Sequence, residues 1–241
     1  MTYFLRYEPD GLISMNILLI RIVFVIMLLL AYRFRDKKTL LSVSLFVSVT
    51  LQVIMLLWYT GDKSLLLKEG LPLYHCRLAA LMTAAGYVLK KKSFTKYFAW
   101  LGLIGAAIAF AFPDPMPFVW PHVTNVTYIG THISIGMSSL ILITGENTEL
   151  KVRPIVIYTL VMNGVLALAN HLFDSNYGYL MRLPEMFPFR FGRVELFVIM
   201  FILIAGGTYG CEKIYSSIKK KSNDSYCVSF FIYSFFFKFK I

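Results

Sequence analysis

The sequence predicts an all-α, polytopic membrane protein: a seven-transmembrane-helix bundle with its N-terminus outside and its C-terminus in the cytoplasm. Three observations predict it. Of 241 residues, 58% are hydrophobic and only 15% charged, far from the usage of soluble domains. The apolar residues fall in long runs without alternation, and hydrocarbon forces such runs to close their backbone hydrogen bonds as helices. The basic residues, which give a net charge of +11, gather in the short segments between those runs. A soluble protein of that charge would point to nucleic acid as a partner; here positive-inside topology accounts for it, with anionic lipid headgroups as counter-charge and no nucleic acid.

A bilayer core of about 30 Å needs roughly 20 apolar residues per helix. Segments of that length start near Leu12, Leu40, Leu71, Phe94, Val126, Val152 and Arg193. Arg33, Arg35, Lys37 and Lys38 follow the first, and Lys90, Lys91, Lys92 and Lys96 follow the third. Lys151 and Arg153 follow the fifth, and Lys213, Lys219, Lys220 and Lys221 close the seventh. Odd connections inside and even ones outside is therefore self-consistent, and residues 112–125 carry no basic residue. The N-terminal MTYFLRYEPDG lacks the basic n-region and small-residue cleavage site of a signal peptide, so the first span is expected to stay in place. Residues 1–222 read as the membrane domain and 223–241, aromatic with Lys238 and Lys240, as a tail that either lies at the interface or is a dispensable extension. Gly102, Gly105, Ala106 and Ala109 space small residues along the fourth span as a packing stripe.

Polar groups inside spans are costly and each needs a reason. Cys76 on the third span and His132 on the fifth sit at nearly equal depth below the outer boundary, with Asn170 near the outer end of the sixth and Glu195 at the outer start of the seventh. Asn163, Ala167 and Asn170 share one face, as do His132, Gly136 and Ser139; Cys76, Ala79, Ala80 and Thr83 form a small inward face. This layer reads as a thiol nucleophile served by an imidazole base, because a thiol attacks acyl carbonyls only with a base or positive charge beside it. His132, His75 and Arg77 are the candidates for that help, and Asn170 or Asn176 for orienting the imidazole or donating to an oxyanion. The blander readings are a small packing thiol and an interhelical hydrogen-bonding histidine. Arg21, within the first span, is expected to pair with a buried acceptor such as Glu195. The loop FDSNYGYLMRLPEMFPFRFG lies over the polar layer, as a headgroup clamp through Arg182 and Arg190 or as an ordinary aromatic belt. Asn163, Asn176, Tyr177 and Arg182 complete the candidate substrate contacts with His75 and Arg77. The three cysteines, Cys76, Cys211 and Cys227, form neither a disulfide framework nor, with the histidines, a zinc pattern, and no cofactor or metal is expected.

At LPLYHC (Leu71–Cys76), YIGTHISIG around His132 and ANHLFDSNYGYLMRLP (Ala169–Pro184), the chain resembles the bacterial YwaF-like integral membrane proteins, distant relatives of an animal transmembrane acyltransferase acting on ether phospholipids. The resemblance implies seven helices, residence in a bacterial plasma membrane, phospholipid as substrate, Cys76 as nucleophile and His132 as base. Two rival readings remain open at this point: transport or binding of a lipid or small molecule in the polar layer, and a sensing or assembly module without chemistry.

Overall fold

The structure, a computed structural model, describes residues 3–11, 15–145, 148–184 and 187–221. The expected interfacial tail and Cys227 lie outside these residues. The described chain is helical: α1 Ile17–Arg33, α2 Lys38–Tyr59, a short α3 Lys63–Leu65 running into a π-turn Leu66–Gly70, α4 His75–Val88, α5 Lys92–Ala111, α6 Val123–Gly145, α7 Val152–Phe173, a 3₁₀ turn Tyr177–Tyr179, and α8 Arg193–Lys221. Five of them, α2, α5, α6, α7 and α8, are long and apolar enough to cross a membrane.

Each expected apolar segment carries one of these helices, but two are shorter than a full crossing demands. Helix α1 has 17 residues and starts where the Asn16 side chain accepts from Leu19 N at 3.0 Å. Helix α4 has only 14. Its segment was expected to be helical from Leu71, but Pro72 disfavours helix at the residue before it, and the chain leaves the π-turn with Leu71 extended. Tyr74, also extended, immediately precedes α4.

Helices α5 and α6 form the centre, and nearly every turn of both is buried. α1, α2 and α4 pack round them, while α7 and α8 lie against α5. The outer helices show one inward stripe and a broad lipid-type face: α1 buries Phe24, Leu28 and Ala31, spaced i, i+4, i+7, and exposes Leu18, Leu19, Ile22, Ile26 and Leu29. The small stripe on α5 works as a packing surface. A Cβ on Gly102 would meet Ile135 and Ser139 of α6 at 2.7 and 2.8 Å, and one on Gly105 would meet Cys76 Sγ of α4 at 2.7 Å.

Arg21 does not pair with Glu195. Its Nε and Nη2 donate to the carbonyls of Phe110 and Ala111 at 2.8 and 2.9 Å. These are among the last carbonyls of α5, which have no partner within the helix. Glu195 instead accepts from Gly192 N at 2.8 Å, at the start of its own helix. Lys96, grouped by sequence with the basic residues after the third span, is buried in α5, where Nζ lies 2.8 Å from Glu212 Oε1 of α8 and donates to Thr148 O at 2.7 Å. The other Glu212 oxygen accepts from Trp100 Nε1 at 2.6 Å, and Leu150 N donates to Oε1 at 2.9 Å. One carboxylate thus joins α5, α8 and the α6–α7 connection.

The connections sort into two ends. One holds this ion pair and the basic clusters; the other gathers the N-terminal segment, the π-turn and the loops after α5 and α7. There, Tyr7 Oη donates to Trp58 O at 2.6 Å, Trp58 Nε1 donates to Leu5 O at 3.1 Å, and Val123 N donates to Phe4 O at 3.1 Å. His122 stacks on Phe118 with centroids 3.8 Å apart and donates from Nε2 to Arg6 O at 2.9 Å. The interior is thus closed over at this end by chain rather than by helix.

Candidate functional site

Beneath that cover lie the residues with chemistry. Cys76 sits in the first turn of α4, its Sγ in the space Gly105 leaves on α5. His132 is buried on α6, between the rings of Phe110 and Tyr128, whose centroids are 5.7 and 4.6 Å away. Its Nδ1 is 2.7 Å from Tyr128 O, one turn back on the same helix. A carbonyl accepts only, so Nδ1 carries the proton and Nε2 keeps its lone pair. Tyr128 itself is tied down, its hydroxyl donating to Ala109 O at 2.6 Å. Thiol and imidazole thus both pack against α5, through Gly105 and Phe110, and among the described residues no hydrogen bond joins them.

The other expected site residues divide into braces and partners. His75 Nε2 meets Asn163 Oδ1 at 3.3 Å, while Asn163 Nδ2 is buried without a partner among the described residues. Asn170 does not turn to His132: its Nδ2 donates to Tyr177 O at 2.9 Å, and its Oδ1 accepts from Tyr177 N at 2.6 Å and Ser175 Oγ at 2.9 Å. Asn176 likewise binds the backbone of Met181 and Arg182. Tyr177 is buried and carries this braced loop onto the π-turn, donating to Leu67 O at 2.8 Å and accepting from Leu71 N at 3.2 Å. Gly178, at φ +65°, presses on His75 so closely that a Cβ there would lie 2.7 Å from its Cε1. The Arg182 side chain is exposed.

Arg77 belongs to the π-turn. Its Nη1 donates to Glu69 O at 2.8 Å and more weakly to Gly70 O at 3.4 Å, and its guanidinium stands 5.3 and 5.1 Å from the ring centres of Tyr59 and Tyr74. Tyr179, which no sequence pattern singles out, closes the roof. It adopts φ +57°, a costly conformation for a bulky side chain, and donates to Asp114 Oδ2 of the opposite loop at 2.8 Å. Burial, then the nearby Asp114 charge, push the Tyr179 hydroxyl well above its usual range. Among the described residues no group of three His, Cys, Asp or Glu side chains stands close enough to hold a metal ion. What the arrangement offers is a thiol, an imidazole whose Nε2 keeps its lone pair and a half-buried guanidinium under a tyrosine-rich roof.

A family model described as the TMEM164 family matches residues 8–210, from the N-terminal segment that roofs the site into α8. The chain belongs to the TMEM164 family. It is accordingly a multi-pass membrane protein, as its apolar helices require. Among curated proteins and among solved structures nothing matches it. Every residue placed in the site above lies within the span matched by the TMEM164 family, and residues 211–241 lie beyond it.

Proposed function

We propose that this TMEM164-family protein crosses a bacterial plasma membrane seven times, N-terminus outside, and acts on phospholipids as an acyltransferase or acyl hydrolase with Cys76 as nucleophile and His132 as base. The single observation that carries the chemistry is the tautomer of His132: with Nδ1–H held by Tyr128 O at 2.7 Å, Nε2 is left to take a proton in the layer where the Cys76 thiol sits. The resemblance of the LPLYHC and YIGTHISIG stretches to the YwaF-like proteins, distant relatives of a transmembrane acyltransferase, points the same way. The crowding of basic residues at the opposite end supports the orientation.

In this reading Nε2 removes the thiol proton as Sγ attacks the ester carbonyl of a lipid. The tetrahedral intermediate collapses, the C–O bond breaks, and the imidazolium returns that proton to the departing alcohol. The acyl group is now a thioester on Cys76. A second alcohol, or water, then loses its proton to Nε2 while attacking the thioester, and the thiol is restored. Asn170 serves by holding the loop over the site, not by contacting the acyl oxygen. Membrane lipids are the partners of both half-reactions.

A second reading, lipid binding or transport without chemistry, is favoured by the missing hydrogen bond between Cys76 and His132. Intact-protein mass after incubation with phospholipid vesicles separates the two. Acyl transfer requires an acyl adduct on the wild type, its absence in Cys76→Ala, and adduct formation slowed about 10²- to 10⁴-fold in His132→Ala. A wild type that binds the lipid but carries no acyl adduct would leave binding or transport.

A further inference from the structure

An arginine inside a membrane helix is costly and ordinarily faces a carboxylate or a water-filled pathway. Arg77 faces no carboxylate at ion-pair distance among the described residues. Glu69 gives it a backbone carbonyl, and the Glu69 carboxylate acts on Tyr59 and Tyr74 without closing on the guanidinium. Nη1 is committed to Glu69 O and Gly70 O; Nη2 has only a long contact, 3.4 Å, to Tyr59 Oη. Nε has no partner among the described residues, yet it is not one of the sealed, unpartnered atoms of the interior. The side of the guanidinium formed by Nε and Nη2 is therefore the fork with donors left to give.

That fork is the geometry which receives two oxygens of a phosphate side by side. Its surroundings hold it in place: two carbonyls fix Nη1, and the rings of Tyr59 and Tyr74 stand near it. Helix α4 carries it one residue after Cys76, and it lies within electrostatic range of His132. The loop arginines offer less, because Arg182 and Arg190 are exposed and an anion gains little from a cation that water already screens.

We propose that Arg77 is the anion seat of the site, its Nε–Nη2 edge binding the phosphodiester of a phospholipid whose acyl ester reaches the layer of Cys76 and His132. The seat rests on the reading of this layer as a lipid site and names the feature by which the lipid is chosen: a phosphate close to the glycerol backbone. A neutral diacylglycerol with the same chains lacks the group that Arg77 would hold.

The test measures selectivity and turnover separately. Wild type, Cys76→Ala, Arg77→Lys and Arg77→Gln are purified in mild detergent, equilibrated with equal amounts of phosphatidylglycerol, diacylglycerol of the same chains and oleate, and washed; retained lipid is then quantified by mass spectrometry. Lysine can replace the contact to Glu69 O but has no second edge, so it tests the fork in a protein that keeps the charge. Wild type and Cys76→Ala should retain phosphatidylglycerol over diacylglycerol by roughly tenfold to a hundredfold, and both Arg77 variants should bring the ratio close to one. A folded Arg77→Lys, with wild-type elution and thermal midpoint, that kept the full ratio would overturn the seat. So would a wild type with no preference for the phospholipid, or one that preferred oleate. If Cys76→Ala left turnover intact while the ratio still depended on Arg77, the catalytic reading would fall and the seat would stand.

Discussion

Glutamine in place of Glu212 changes one atom, and the structure allows its cost to be worked out. The carboxylate is buried and accepts from Lys96 Nζ at 2.8 Å, Leu150 N at 2.9 Å and Trp100 Nε1 at 2.6 Å. An amide of the same shape turns an NH₂ towards one of those donors and leaves the Lys96 ammonium without a counter-charge, its other partner being the neutral Thr148 O. Removing one member of a buried pair costs about 3–5 kcal/mol, because the survivor stays charged and dry. At about 2–4 °C per kcal/mol for a chain of this size, Glu212→Gln should lower the thermal midpoint in detergent by roughly 6–20 °C. Lys96→Met should also destabilise, but the double change Lys96→Met, Glu212→Met should cost less than the sum, since no unpaired charge remains. A loss below about 1 kcal/mol for Glu212→Gln, or a strictly additive double variant, would show that these charges are hydrated and that the reasoning fails.

Three further outcomes follow from other parts of the molecule. Single cysteines introduced at positions 91 and 220 should be labelled only from the cytoplasmic side and one at 117 only from outside; external labelling at 91 would reverse the proposed orientation. Asn170→Ala removes three hydrogen bonds to Tyr177 and Ser175 and should cost about 2–4 kcal/mol, with faster hydrogen exchange at 175–180; an unchanged exchange pattern there would refute its role as a brace. The N-terminal segment should loosen in acid in two stages, followed by protease cleavage between 3 and 11. Burial holds His122 below its usual 6.5, so its contribution is complete above 6.5 and is lost as the pH falls beneath that value. Arg6 and Val119 N hold Asp10 below 3.8, so its contribution disappears only below 3.8. Cleavage independent of pH between 7 and 3 would contradict this linkage.

The bundle was legible because apolar runs and basic clusters are local signals, and each of the seven expected segments carries a helix. Inward stripes were readable in large part: Ala79, Ala80, Thr83, Asn163 and Asn170 are buried, while Cys76 and Ala167 on the same stripes are half-buried. What spacing does not encode is the partner. Arg21 finds carbonyls at the end of α5 where a carboxylate was expected, and Lys96 reaches a glutamate 116 positions away. Asn170 lies on the polar stripe of α7, yet a left-handed turn at Asp174 folds the following loop back onto its amide. The orienting group of His132 was within reach of sequence, since Tyr128 precedes it by one helical turn. The clasp between Tyr179 and Asp114 was not, for it joins two loops whose approach depends on the whole bundle.

The brevity of α4 bears on the bilayer itself. Its 14 residues rise about 21 Å, roughly 9 Å less than ordinary hydrocarbon thickness. If α4 crosses as proposed, the non-helical chain around Leu71 lies at acyl depth, where such backbone survives only when buried in protein or bordering water. Lipid beside this helix must then thin or tilt, drawing its glycerol region down towards the plane of Cys76. Hydrophobic mismatch would thus shorten the descent an ester bond must make, and protein reconstituted in short-chain bilayers should receive that bond more readily than in thick, sterol-stiffened ones.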